Sequence, residues 1–81
     1  MKEVILVGAD WCVSCKIMKE WFLSLEMPGI VFSYRDLEEI AASVSSVPVI
    51  AFRENDETVQ ESFGAISKND LIRLANSIFN E

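Results

Sequence analysis

The 81-residue sequence contains no histidine. This absence excludes Ser-His and Cys-His catalytic arrangements and every zinc site that uses histidine. No apolar run approaches the roughly 20 residues that a membrane-spanning helix requires. Basic residues are also few, with seven Lys and Arg against thirteen Asp and Glu and a formal charge of −6. Because phosphate binding needs clustered Lys and Arg, nucleic acids and anionic membranes are disfavoured as partners.

Cysteine is scarce as well: the chain has only Cys12 and Cys15. A bridge between residues three apart closes a very small loop and removes little entropy from the unfolded chain. A structural disulfide framework is therefore excluded, and a redox or metal role is favoured. The apolar run after Lys2 and Glu3 is short and Asp10 interrupts its continuation, so we see no signal peptide. The expected compartment is the reducing cytoplasm.

Hydrophobic residues make up 51% of the chain, which is enough for one core and argues against disorder. At this length we expect a single domain over residues 1–81. The patterning predicts four strands, at residues 4–7, 30–34, 48–52 and 58–63. It predicts three helices, at about 12–27, at 36–42 with Asp36 as N-cap, and after Ser67. A linker at 43–46 and a turn at 53–57 complete the chain.

Two of these helices have a predicted buried face. In the first helix the apolar positions are four residues apart, at Val13, Ile17, Trp21 and Leu25, and Met18 and Phe22 flank them. In the last helix they are Leu71, Leu74, Ala75 and Ile78, and Ser67 and Asp70 stand at the spacing of a capping box. Strands 1 and 2 are joined by a helix and are therefore predicted to be parallel, whereas strands 3 and 4 form an antiparallel hairpin.

The two cysteines follow a buried strand and open a helix. Residues at i and i+3 lie on one helix face with Cβ atoms roughly 5–6 Å apart, so the pair can close and reopen as a disulfide. Unpaired N–H groups and the helix dipole favour a thiolate at the helix N-terminus. We therefore expect a lowered pKa for Cys12, which would be the attacking sulfur, while Cys15 would resolve the mixed disulfide.

Three segments resemble the thioredoxin family, in the family's order: ADWCVSCK at 9–16, SVPVIAF at 46–52 and FGAISKNDL at 63–71. A lone Cys-x-x-Cys would be weak evidence, since zinc sites use the same spacing. The resemblance covers nearly the whole chain and implies an α/β fold. This is the minimal thioredoxin fold (βαβ–ββα) of glutaredoxins, a four-stranded mixed sheet flanked by three helices. The N-terminal strand and helix of full-length thioredoxins are missing.

The resemblance also implies a substrate groove around the pair. Pro48 would be cis and lie beside the disulfide, and the backbone of Val47 would face an extended substrate. Gly64 and Ala65 would close the other side of the groove, and Trp11 would pack at the active site. No metal site and no cofactor are implied.

Two departures from the family concern the chemistry. Thioredoxins usually carry a buried Asp six positions before the first cysteine, and here that position is Leu6. Proton transfer at Cys15 then needs water or another group, or is slower; Asp10 and Tyr34 are candidate groups, but the sequence does not place them. The second departure is Val13-Ser14 between the cysteines, at the dipeptide that tunes the redox potential.

The resemblance implies a protein-disulfide reductase that donates electrons to a partner enzyme such as ribonucleotide reductase, and it implies a monomer. The 63–68 segment resembles thioredoxin and lacks the Gly-Gly stretch and Asp pair with which glutaredoxins bind glutathione. A flavin-dependent thioredoxin reductase is therefore favoured over glutathione as electron donor. Two alternatives stay open: a thioredoxin-like binding module whose thiols are dispensable, and a metal-bridged dimer in which two chains supply four thiolates.

Overall fold

Four strands and two helices make up the regular structure of the residues that the computed structural model describes, which are 1–37 and 47–79. They are β1 (Lys2–Gly8), α1 (Val13–Phe22), β2 (Ile30–Asp36), β3 (Val49–Glu54), β4 (Glu57–Phe63) and α2 (Lys68–Phe79). The predicted helix at 36–42 and linker at 43–46 lie almost wholly outside the described residues; of that segment, Asp36 ends β2.

The strands form a mixed sheet in the order β2-β1-β3-β4, which confirms the predicted fold. β1 pairs in parallel with β2 and antiparallel with β3. The register places Leu6 opposite Tyr34 on one side and opposite Ile50 on the other. Val4 and Leu6 are fully buried on the sheet face that both described helices cover. The core of that face is Val4, Leu6, Met18, Phe22, Ile50, Phe52, Leu71, Ala75 and Phe79.

Helix α1 is shorter than predicted, and only part of its predicted apolar set is buried: Trp21 packs against the core, but the N-terminal positions do not. Its buried residues are Cys15, Met18 and Phe22, spaced three and four apart, whereas Val13 and Ile17 are 72% and 58% exposed. The helix ends five residues before Met27. Its last turn is closed by hydrogen bonds that span three residues: the backbone N–H and the hydroxyl of Ser24 both donate to the carbonyl of Trp21. Leu25 and Met27 then pack on the core from the following loop.

The β3–β4 hairpin has a tighter turn than the five residues predicted. Glu54 pairs with Glu57, so the turn contains only Asn55 and Asp56. Both have positive φ, 53° and 69°, the sign that type I′ hairpin turns require at their two central residues.

Helix α2 agrees with its prediction. The hydroxyl of Ser67 accepts a hydrogen bond from the N–H of Asp70 at 3.2 Å, as an N-cap residue does. Leu71 and Ala75 are fully buried, and Leu74 and Ile78 pack on the same core.

Candidate active site

The cysteine pair stands where β1 passes into α1. Cys12 is the N-cap of α1, with extended φ and ψ of −98° and 109°. Its N–H donates to the carbonyl of Ala9 at 3.1 Å, and its own carbonyl accepts from the N–H of Lys16 at 3.2 Å. The prediction that Cys12 lies at the helix N-terminus is therefore confirmed, and the sulfur lies next to the positive end of the helix dipole.

Cys12 and Cys15 are joined in a disulfide, with their Cα atoms 5.2 Å apart. The N–H of Cys15 donates to Cys12 Sγ at 3.2 Å. The hydroxyl of Ser14 lies 3.4 Å from the same sulfur. Two donors therefore surround Cys12 Sγ, and both would stabilise negative charge on it after the bond opens. The contact of Ser14 was not foreseen from the sequence, which marked this residue only as part of an unusual dipeptide.

The two sulfur-bearing residues differ in their access to solvent. Cys12 is 8% exposed, and Cys15 is completely buried. Both pack in a small apolar cluster with Ala9, against which Leu37 and Val47 lie. Of the two residues, only Cys12 keeps exposed surface when the disulfide is closed.

The Val47–Pro48 segment lies beside the disulfide. The Val47–Pro48 peptide bond is cis, and the carbonyl oxygen of Val47 lies 4.0 Å from Cys12 Sγ. The N–H of Gly64 donates to the carbonyl of Pro48 at 2.9 Å. The structure thus joins three segments that are far apart in the sequence, those of Cys12, Val47–Pro48 and Gly64.

The remaining residues predicted for substrate binding, Trp11 and Ala65, are exposed on the surface. Trp11 is 70% exposed, and Ala65 follows Gly64 and is also exposed. Neither belongs to the apolar cluster around the cysteines. Their roles in binding a substrate, like those of Val47, Pro48 and Gly64, stay predictions.

Tyr34 reaches the site from β2. An ideal Cβ at Gly8 would lie 2.7 Å from the Tyr34 hydroxyl and 2.9 Å from Cys15 Cβ, so these two groups flank one point. The ammonium of Lys19 lies over the ring of Tyr34, 4.4 Å from its centroid. Burial, and then the carboxylates of Asp36 and Asp10, raise the pKa of the phenol. The sequence signal for this placement is a glycine two residues after the buried Leu6, which leaves room on the same sheet face.

Leu6 itself is fully buried and apolar, as expected from its position in β1. Across the described ranges, 1–37 and 47–79, no three His, Cys, Asp or Glu side chains are grouped closely enough to hold a metal ion. In those same ranges, neither helix is long and apolar enough to span a bilayer.

Comparison with known proteins extends these observations. No family model matches the chain. Two solved thioredoxin structures have the same fold. A mutant thioredoxin from Halobacterium salinarum has a TM-score of 0.81 and 24% identity, and the match covers 94% of this chain and 73% of that one. Thioredoxin f2 from Chlamydomonas reinhardtii has a TM-score of 0.81 and 20% identity, and the match covers 99% of this chain and 81% of that one.

A curated relative, the thioredoxin of Ophiophagus hannah, is 33% identical over 69 residues. The matched part is 76% of this chain and 66% of that protein, so it spans slightly less than two thirds of the relative's length. The chain is therefore similar to a thioredoxin in sequence over three quarters of its residues, and it has the thioredoxin fold.

Proposed function

We propose that the protein is a thiol–disulfide oxidoreductase that reduces disulfides in other proteins. The observation that carries this proposal is the unequal exposure of the pair: Cys12 is 8% exposed at the N-terminus of α1, and Cys15 is buried behind it. Thiol–disulfide exchange requires an accessible thiolate and a second thiol within reach. The similarity to a thioredoxin supports the same activity.

The reaction transfers two electrons from the dithiol to the target. The thiolate of Cys12 attacks one sulfur of the target disulfide, the target S–S bond breaks, and the departing sulfur takes up a proton. A mixed disulfide now joins Cys12 to the target. The sulfur of Cys15 then attacks Cys12 Sγ, the second target thiol leaves with the proton that Cys15 gave up, and the Cys12–Cys15 bond is restored.

The proposed binding site for the target is the surface beside Cys12. The carbonyl of Val47 is 4.0 Å from the reactive sulfur, and the Val47–Pro48 peptide bond is cis. An extended target segment would pair with the backbone of Val47, between the exposed side chain of Trp11 and the Gly64–Ala65 loop.

The oxidised pair then needs an electron donor. The thioredoxin-like segment at 63–68 favours a flavin-dependent thioredoxin reductase over glutathione, and a reductive enzyme such as ribonucleotide reductase is the proposed electron acceptor. In this role the protein would act as a monomer in the cytoplasm, where disulfides are kept reduced.

Replacing each cysteine tests the activity. Cys12→Ser should abolish the reduction of a protein disulfide such as insulin's, because the attacking sulfur is gone. Cys15→Ser should instead accumulate a mixed disulfide between Cys12 and the target, visible by mass spectrometry. Full activity of the Cys12→Ser variant would overturn the proposal and favour a binding module with dispensable thiols.

The midpoint potential tests the direction of electron flow. Equilibration in redox buffers, followed by alkylation and mass measurement, should give a value near about −270 mV, as for thioredoxin. A value near about −120 mV would instead indicate an oxidant.

A further inference from the structure

We propose that the hydroxyl of Tyr34 donates a hydrogen bond to the sulfur of Cys15 in the reduced protein and so stabilises the resolving thiolate. The inference deepens the proposed function and rests on it for its biological meaning. It concerns the step in which Cys15 attacks Cys12 Sγ and releases the target.

The sheet register brings the hydroxyl to this place. Tyr34 stands opposite Leu6 in the β1–β2 pairing, so its side chain lies on the sheet face that α1 covers, as does position 8 two residues beyond Leu6. Because Gly8 has no side chain, the space above it is open. The Tyr34 hydroxyl and Cys15 Cβ fill it, 2.7 Å and 2.9 Å from the point where a Cβ of residue 8 would be.

The sulfur of Cys15 is bonded directly to the Cβ of the same residue. In the oxidised protein the sulfur is held by Cys12. When the disulfide opens, rotation about the Cα–Cβ bond of Cys15 can turn the sulfur towards the hydroxyl. The phenol therefore lies within reach of the free thiolate.

Cys15 needs such a donor because it is completely buried. Burial disfavours a thiolate. Leu6, which is paired with Tyr34 in the sheet, has an apolar side chain and cannot donate a hydrogen bond. A hydrogen bond to a charged acceptor offsets part of this penalty, since such bonds are stronger than those between neutral groups.

The charges around Tyr34 decide which partner holds the proton. Asp36 at the end of β2 and Asp10 in the loop before α1 oppose a negative phenolate, and together with burial they raise the pKa of Tyr34. Lys19 of α1, whose ammonium lies over the ring, is the nearby positive charge. At neutral pH the phenol keeps its proton and acts as a donor, not as a base. The proton released by Cys15 goes to the departing target sulfur.

The test compares two proteins, Cys12→Ser and the double variant Cys12→Ser/Tyr34→Phe. In both of them Cys15 is the single thiol. The Cβ chemical shift of Cys15, followed by NMR against pH, gives the midpoint of its titration. Loss of the hydroxyl should raise this midpoint by about one to two pH units. Ser33→Ala is the matched control: it removes a hydroxyl from the adjacent residue of β2, on the opposite sheet face, and should leave the midpoint unchanged.

A kinetic measurement in the protein with both cysteines gives a second readout. Release of the target from its mixed disulfide with Cys12 should slow at neutral pH by about threefold for every pH unit by which the Cys15 midpoint rises, since a smaller thiolate fraction is partly offset by greater nucleophilicity. Above both midpoints Cys15 is fully ionised in both proteins, and the variant should then release the target faster, by about threefold for every pH unit by which its midpoint is raised, so the difference reverses sign. A loss of rate that is equal at every pH would mean a structural role and would overturn the inference.

The measurement remains possible if Tyr34→Phe does not fold. In the Cys12→Ser protein, the ring signals of Tyr34 should follow the titration of Cys15 with the same midpoint, and they should not do so after Cys15→Ala. An unchanged Cys15 midpoint or unresponsive ring signals contradict the role of Tyr34, even if the wild type reduces disulfides. Absence of disulfide reduction together with a raised midpoint would reject the proposed function and leave the Tyr34 contact standing.

Discussion

At the scale of single residues, the ionisation of Tyr34 couples to folding. Its folded-state pKa lies above the ordinary value of 10.0, with burial as the main cause and Asp36 next. The neutral phenol is thus favoured in the folded protein. The stability that this adds is complete below the unfolded pKa and is lost as the pH rises through the folded one.

We therefore expect the free energy of unfolding to fall more steeply with pH in the wild type than in Tyr34→Phe. Urea titrations at intervals from about pH 9 to about pH 12 would measure the difference. Because Tyr34 is the single tyrosine of the chain, tyrosinate absorbance reports its titration directly. Parallel pH profiles of the two proteins would contradict the expectation.

Gly8 makes a second prediction at this scale. A methyl group there would meet the Tyr34 hydroxyl at 2.7 Å and Cys15 Cβ at 2.9 Å, so Gly8→Ala must displace one of them. Overpacking of this kind costs about 1–3 kcal/mol, measurable by urea unfolding. Introduced into Tyr34→Phe, the same Gly8→Ala change should lower the free energy of unfolding by less than it does in the wild type, because the contact with the hydroxyl is absent. Equal losses in the two backgrounds would mean that the crowding does not involve the hydroxyl.

The residues that carry the chemistry could be predicted only in part. Cys12 and Cys15 are close in sequence, and a glycine-flanked strand before them fixes the helix N-terminus, so their placement followed from local rules. Tyr34 lies some twenty residues away, and only the β1–β2 register decides that its hydroxyl reaches Gly8. Register depends on tertiary packing, which a single sequence does not specify.

At the scale of elements, α1 shows how an apolar pattern can mislead. The spacing of Val13, Ile17 and Trp21 predicts a buried stripe, yet Val13 and Ile17 are largely exposed. The buried stripe instead runs through Cys15 and the two positions predicted to flank the face, Met18 and Phe22. The helix has apolar residues on both faces, and which face packs depends on where Cys15 must sit at the end of β1. Periodicity alone cannot weigh that constraint.

The β3–β4 turn yields a prediction at the same scale. Asp56 has a φ of 69°, a conformation that glycine adopts more easily than any residue with a Cβ. Asp56→Gly should raise the free energy of unfolding by up to about 1 kcal/mol. Asp56→Ala is the matched control and should lower it, since alanine has neither glycine's freedom nor a polar side chain. Thermal or urea unfolding of the three proteins would rank them.

At the scale of the whole molecule, charge is unevenly balanced. A formal charge of −6 is carried by a body whose radius of gyration over the described residues is 11.9 Å. The Debye length at 0.1 M salt is about 10 Å, so the excess negative charge repels itself at low salt and is screened at higher salt.

We expect the melting temperature to rise by about 2–4 °C between low salt and about 0.15 M sodium chloride. Replacing the exposed Glu61 of β4 with lysine removes two units of the excess charge and should make this increase smaller. A melting temperature that falls with added salt, or a larger increase in the Glu61→Lys protein, would show that specific ion pairs outweigh the overall repulsion.

The sheet topology was predictable because each connection obeys a general rule. A helix between β1 and β2 makes them parallel, and a short turn between β3 and β4 makes them antiparallel. The exact ends of the helices and strands were harder to predict. Helix α1 stops at Phe22 because of the hydrogen bonds that Ser24 makes. Strand β3 continues to Glu54 because the turn needs only two residues.

The position of β1 has a consequence for the newborn chain. It precedes all its partners in sequence, yet it lies between β2 and β3, and Lys2 pairs with both Ile30 and Glu54. At about 5–20 residues per second, a ribosome needs several seconds to supply the second of these partners. During that interval the apolar strand β1 lacks a partner on that edge, so we expect the nascent polypeptide to be more prone to aggregation than the finished chain.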